Sequence, residues 1–148
     1  MIEKDFTPYQ ESLELKALGF DEPTLYHWHN SCKTHPFTNE IFNPNCKPKT
    51  NSGIKDIGEE NYVWSAPTFS QAFRWFREKH NWQNSIDPTA DQHSRQLGYN
   101  HWIWNYKTGE EYHTMPKNRP TGDWEYENYE EAELACLKKL IQIVKEKQ

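Results

Sequence analysis

The sequence is short of aliphatic residues: eight Leu, eight Ile and two Val are spread over 148 positions, and the hydrophobic share is 34%. So low a share would indicate a disordered chain if it came with a strong charge imbalance. The imbalance is modest, 17 basic against 22 acidic side chains for a net charge of −5. No apolar run approaches the roughly 20 residues of a membrane-spanning helix. The start, Met1 to Phe6, carries no apolar stretch of the kind that directs secretion, so a cytoplasmic protein without membrane attachment is expected. Three cysteines, Cys32, Cys46 and Cys136, are too few and too scattered for a disulfide framework. With six glycines there is no Gly-rich phosphate loop, and neither Gly-x-Ser-x-Gly nor His-Glu-x-x-His occurs. A pI near 5.8 without clustered Lys and Arg disfavours nucleic acid as a partner.

What the chain has in abundance is aromatic side chains, 15% of its residues. Each buries roughly 150–250 Å², so a few can replace many aliphatics in a core. A folded single domain over residues 1–148 is expected, with an aromatic-rich core and generous polar loops.

Three helices announce their starts. Thr7, Pro8 and Gln10 form the pattern of a capping box, in which hydroxyl and amide satisfy the first free backbone N–H groups. This helix should reach about Leu18 and stop at Gly19, with Leu13 and Ala17 on one flank and Leu15 and Leu18 on the other. The same device recurs at Thr68 and Gln71, followed by Phe69, Ala72, Phe73 and Phe76 at helical spacing. His80 falls in the last turn of this helix, where a packing or dipole role is expected. Asn128 caps the third and strongest helix, predicted to run to about Lys145. Its acidic residues come early and its lysines late, and Ala132, Leu134, Cys136, Leu137, Leu140, Ile141, Ile143 and Val144 give it a broad apolar stripe.

Between the helices, strands are predicted at residues 24–29, 61–65, 99–107 and 111–115, the last two joined as a hairpin by Thr108, Gly109 and Glu110. Long polar loops are expected at about 32–60 and 83–97, with a shorter one near 116–127. The order α-β-β-α-β-β-α gives an α+β fold, a small antiparallel sheet of about four strands with the helices largely on one face.

Two constellations could carry chemistry. His27, His29, Cys32 and His35 lie within nine residues, with Cys46 beyond, and zinc takes such nitrogen and sulfur donors. His27 and His29 would share one face of a strand, yet the spacing matches no familiar zinc knuckle, and the alternative is a polar strand end running into a loop. The second constellation is the ladder Trp102, Trp104 and Tyr106, on one face of a strand by alternation. Exposed, together with Trp28, it would be a stacking face for bases, sugars or a partner. The helices need a sheet to cover their stripes, so the ladder is expected to turn inward. General acid–base pairs could be drawn from His101 or His113 with Glu110 or Glu111, as in almost any sequence. Cys136 reads as core.

Three stretches resemble a family: Phe6 to Gln10 with Leu18-Gly19-Phe20-Asp21-Glu22-Pro23, then Ser65 to Lys79, and Tyr129 to Ile141. Together they are similar to short, functionally uncharacterised proteins of Bacteroides-type bacteria and their phages. The resemblance implies a cytosolic accessory protein of a phage or mobile element, with a host or phage protein as partner, and assigns no catalytic residue. The leading expectation is a non-catalytic interaction module working through the 32–60 and 83–97 loops and exposed Trp side chains. The alternatives are a zinc-binding or His-dependent enzyme site at His27–His35, and a module holding a nucleotide or sugar on an aromatic face.

Overall fold

The computed structural model describes residues 2–29, 32–37, 63–114 and 124–148. It is a mixed α+β fold of three helices and antiparallel sheet. A 3₁₀ turn at Ile2–Asp5 is followed by α1 (Tyr9–Ala17), β1 (His27–His29), β2 (Cys32–Phe37), β3 (Val63–Ser65), α2 (Phe69–His80), β4 (Trp82–Ala90), β5 (Leu97–Asn105), β6 (Glu111–His113) and α3 (Tyr129–Lys147). Contacts divide the chain into two compact units, Met1–Trp75 and Phe76–Gln148. Each has a three-stranded sheet, ordered β2-β1-β3 in the first and β4-β5-β6 in the second.

In the first unit, α1 begins one residue later than expected, and the Thr7–Gln10 box does not form. Pro8 takes the cap position without a side-chain bond. Thr7 is committed elsewhere: its N–H donates to the Pro67 carbonyl (2.9 Å), and its hydroxyl lies 2.6 Å from that of Ser12. The Trp28 indole N–H completes this buried group by donating to Ser12 Oγ (2.8 Å) and to the Thr7 carbonyl (3.2 Å). Tertiary bonding thus outcompetes the local cap. Around it pack Phe6, Trp28 and Ala66, with Tyr9 and Tyr26 against them.

The end of α1 follows expectation closely. Gly19, at φ 96°, donates to the Lys16 carbonyl, and Phe20 donates to the Leu15 carbonyl. This is a Schellman ending, for which the left-handed residue is best a glycine. Leu15 and Phe20, both buried, supply its hydrophobic contact, while Leu13 is left exposed. The box at α2 also forms: Thr68 N–H donates to Gln71 Oε1 and Gln71 N–H to Thr68 Oγ1, each 3.1 Å. Of the predicted 32–60 loop, residues 32–37 are strand β2, and the remainder, with Cys46, lies outside the described residues.

The second unit contains a larger departure. Residues 82–90, placed mostly in a loop by their polarity, are a strand paired along its whole length with β5, from Trp82 opposite Asn105 to Ala90 opposite Leu97. Pro88 is compatible with this because β4 is an edge strand, where one face of the backbone needs no partner in the sheet. The turn is organised by Asp91, whose carboxylate accepts the His93 and Ser94 N–H groups and the Ser94 hydroxyl. The β5–β6 hairpin forms as predicted. Gly109 (φ 75°) takes its left-handed position, and Asn105 Oδ1 accepts the N–H groups of Lys107 and Thr108.

Helix α3 packs on β4 and β5. Asn128 caps it, accepting the Glu131 N–H at 2.9 Å. Ala132, Cys136, Leu137, Leu140, Ile141, Ile143 and Val144 are buried. At the other end of the helix, Lys147 pairs with Glu110 (2.8 Å) and lies over the Trp82 ring. Gly98 is required for space: a Cβ there would run into the buried Trp124 indole. Gly98→Ala should therefore cost about 1–3 kcal/mol through overpacking, read as a lower midpoint in urea unfolding at unchanged slope.

Candidate functional site

The geometry of β5 decides where its aromatic residues go. Side chains along a strand alternate between faces. His101, Ile103 and Asn105 are buried, Ile103 completely. Trp102 and Trp104 must then face the other way. Trp102 is 36% exposed and Tyr106, just past the strand, 64%. The expectation that the ladder turns inward is therefore overturned. The side chains alternate as expected, but the inward set is the mixed one of His101, Ile103 and Asn105.

The outer face is an assembled surface. Trp102 and Trp104 lie with ring centroids 4.7 Å apart, tilted by 36°. His113 of β6, opposite Trp102, stacks on it at 5.4 Å and 16°. Glu111, opposite Trp104, approaches His113 with a 3.4 Å Oε1–Nε2 separation. On the other side, Gln83 lies opposite Trp104, Ser85 opposite Trp102 and Asp87 opposite Asn100. The Ser85 hydroxyl donates to the Asp87 carboxylate at 3.0 Å. The Tyr106 hydroxyl reaches Asn81 Oδ1 at 3.2 Å and extends the aromatic row.

Trp28 does not belong to this surface. It is buried in the first unit, its N–H spent on Thr7 and Ser12. Trp75, Trp82 and Trp124 are buried as well.

On the inward side, β5, β6 and α3 bound a cleft of ≈ 950 Å³, lined among others by His101, Tyr112, Tyr126, Lys138 and Lys139. His101 stacks on Tyr126 at 5.7 Å and 18°. Burial, reinforced by the charge of Lys139, holds its imidazole below the ordinary 6.5. Lys139 lies over the Tyr112 ring, 5.0 Å from its centroid. No local sequence signal marks this cleft, because its lining comes from separate segments of the chain.

The remaining candidates fall as follows. Glu110 is held by Lys147 and Thr108, with its carboxyl below the ordinary range because of those bonds. It is therefore structural. Cys136 is fully buried, and burial pushes its thiol up to about 12, far from a reactive thiolate. His80 packs on Phe76 at 6.0 Å, and burial lowers its pKa, which favours a neutral packing role over a cationic one. In the first unit the backbone places His29 opposite Cys32, and His27 opposite Phe37 and Ser65. The side chains of His29, Cys32 and His35 lie outside the described residues. Among the described residues, no three His, Cys, Asp or Glu form a group that could hold a metal ion.

The lowered imidazole pKa values have a consequence for stability. His101 and His80 gain protons more readily when unfolded, so the unfolded state binds more protons below pH 6.5. Stability should be level above the unfolded pKa and fall as pH drops below it, until the folded pKa is passed. His101→Gln should flatten this slope in urea titrations between pH 7 and about 5. An unchanged slope would contradict the burial of a neutral His101.

Comparison of the chain with protein-family models, with curated proteins and with solved structures finds no match in any of the three.

Proposed function

We propose that this chain is a non-catalytic binding module that engages a partner protein through the outer face of β4, β5 and β6. The observation that carries the reading is the Trp102–Trp104–His113 stack, in which Trp102 and His113 are exposed and Trp104 is half-buried. Most of the core of this unit is supplied by the opposite face of β5 and by α3. On the outer face the buried Trp124 covers the Gly98 end of β5, and the exposed part begins at Trp102. Leaving apolar surface in water forgoes roughly 25 cal/mol per Å² of burial. Contiguous exposed apolar patches commonly mark interaction sites, and Trp is the residue most enriched where binding energy concentrates.

The face replaces one of the surfaces expected from the sequence. Residues 83–97 are not a long loop but strand β4, a tight turn and the first residue of β5. Recognition is accordingly assigned to a rigid sheet face, which loses little conformational entropy on binding. The resemblance to short proteins of Bacteroides-type bacteria and their phages supports an accessory role in a bacterial cytoplasm, with a host or phage protein as the partner.

Trp102→Ala combined with Trp104→Ala tests this. Both side chains reach the outer face, so the double variant should keep the wild-type circular dichroism spectrum. A partner captured by the wild-type chain from a Bacteroides lysate should be retained at least about tenfold less well, since each such anchor contributes about 2 kcal/mol or more. A partner held equally by both chains would overturn the assignment of the face.

A further inference from the structure

We infer that the outer face of the β4–β5–β6 sheet is a receptor for cationic side chains, arginine above all, presented by the partner protein. This rests on the reading of that face as the binding surface and adds the chemistry of its occupant. The strand register brings to this face Asp87 of β4, Trp102 and Trp104 of β5, and Glu111 and His113 of β6. Two of these five are carboxylates, and no Lys or Arg occurs in any of the three strands. The carboxylates stand on opposite sides of the indole pair, Glu111 directly across from Trp104 and Asp87 one rung beyond Ser85, which faces Trp102. Both are exposed.

The electrostatics of this arrangement have one sign. The face of an indole carries the negative end of its quadrupole and is the strongest aromatic partner for a cation. A guanidinium stacks flat on such a ring, while its five N–H donors reach carboxylates at the ring's margin. Phosphate esters would meet the Asp87 and Glu111 carboxylates with no Lys or Arg in the three strands, Lys138 and Lys139 of α3 lying in the cleft that Glu111 and His113 also line. This disfavours the nucleic-acid use of a stacking platform. A neutral sugar could stack on the rings, yet covering Asp87 and Glu111 would remove water from two charges without supplying a countercharge. A cation supplies it. The chain's net charge of −5 acts in the same direction at long range, drawing a basic surface toward it.

The test uses the full-length chain and a fluorescein-labelled Arg-Gly repeat peptide in anisotropy titrations. Its control is the same peptide with citrulline in place of arginine, which keeps the planar side chain and removes the charge. The arginine peptide should bind about tenfold or more tightly than the citrulline peptide, and Asp87→Asn with Glu111→Gln should remove that preference. Raising the salt concentration should weaken the arginine peptide selectively. Equal affinity for the two peptides, a preference that survives the charge-removing substitutions, or displacement of the peptide by maltohexaose would overturn the inference. If both peptides bind equally and both are lost with Trp102→Ala and Trp104→Ala, the cation is wrong and the aromatic face stands. If the arginine preference persists in that tryptophan variant, the aromatic face falls with the inference.

Discussion

The burial of Ile103 is the constraint on which the second unit depends. A strand offers alternate side chains to its two faces, so one residue committed to the core fixes the direction of all the others. With Ile103 fully buried, His101 and Asn105 follow it inward. Trp102 and Trp104 have no choice but the outer face. The strand's hydrogen bonds to β4 and β6 then determine which side chains surround them. The candidate binding surface is thus a by-product of core packing on the far side of the same strand, and its rigidity comes from that packing.

That inward face is itself unusual in carrying polar residues. His101 is covered by Tyr126, and its backbone is tied to Thr114. Asn105 spends its carbonyl oxygen on the N–H groups of the following turn. Asn105 thus has a structural task at a turn, whereas the His101 ring is held by stacking on Tyr126 and its Nδ1 is buried without a hydrogen-bond partner among the described residues. The apolar work falls to Ile103, Trp82 and the stripe of α3. This distribution explains how a chain with so few aliphatics folds.

Features set by neighbouring residues were legible in the sequence. The Thr68–Gln71 box, the Asn128 cap, the glycine ending of α1 and the Gly109 hairpin each depend on a few consecutive positions, and each formed. Features set by distant residues were not. Thr7 carries the same capping signal as Thr68, yet its bonds go to Ser12, Trp28 and Pro67. Strand β4 has a polar sequence with a proline, and it exists because β5 pairs with it and Asp91 turns the chain. The tryptophan ladder was legible as a ladder, because alternation is local. Its direction was not, since Ile103 alone gives a weaker apolar signal than two tryptophans, and only packing against α3 decides between them.

The orientation of β5 can be measured directly by nuclear magnetic resonance of the indole rings in the presence of a soluble paramagnetic agent. Resonances of Trp102 and Trp104, assigned by single Trp→Phe substitutions, should broaden well before those of Trp28, Trp75, Trp82 and Trp124. Protection of Trp102 and Trp104 to the level of Trp82 would contradict the burial of Ile103 and, with it, the outer face assigned to the partner.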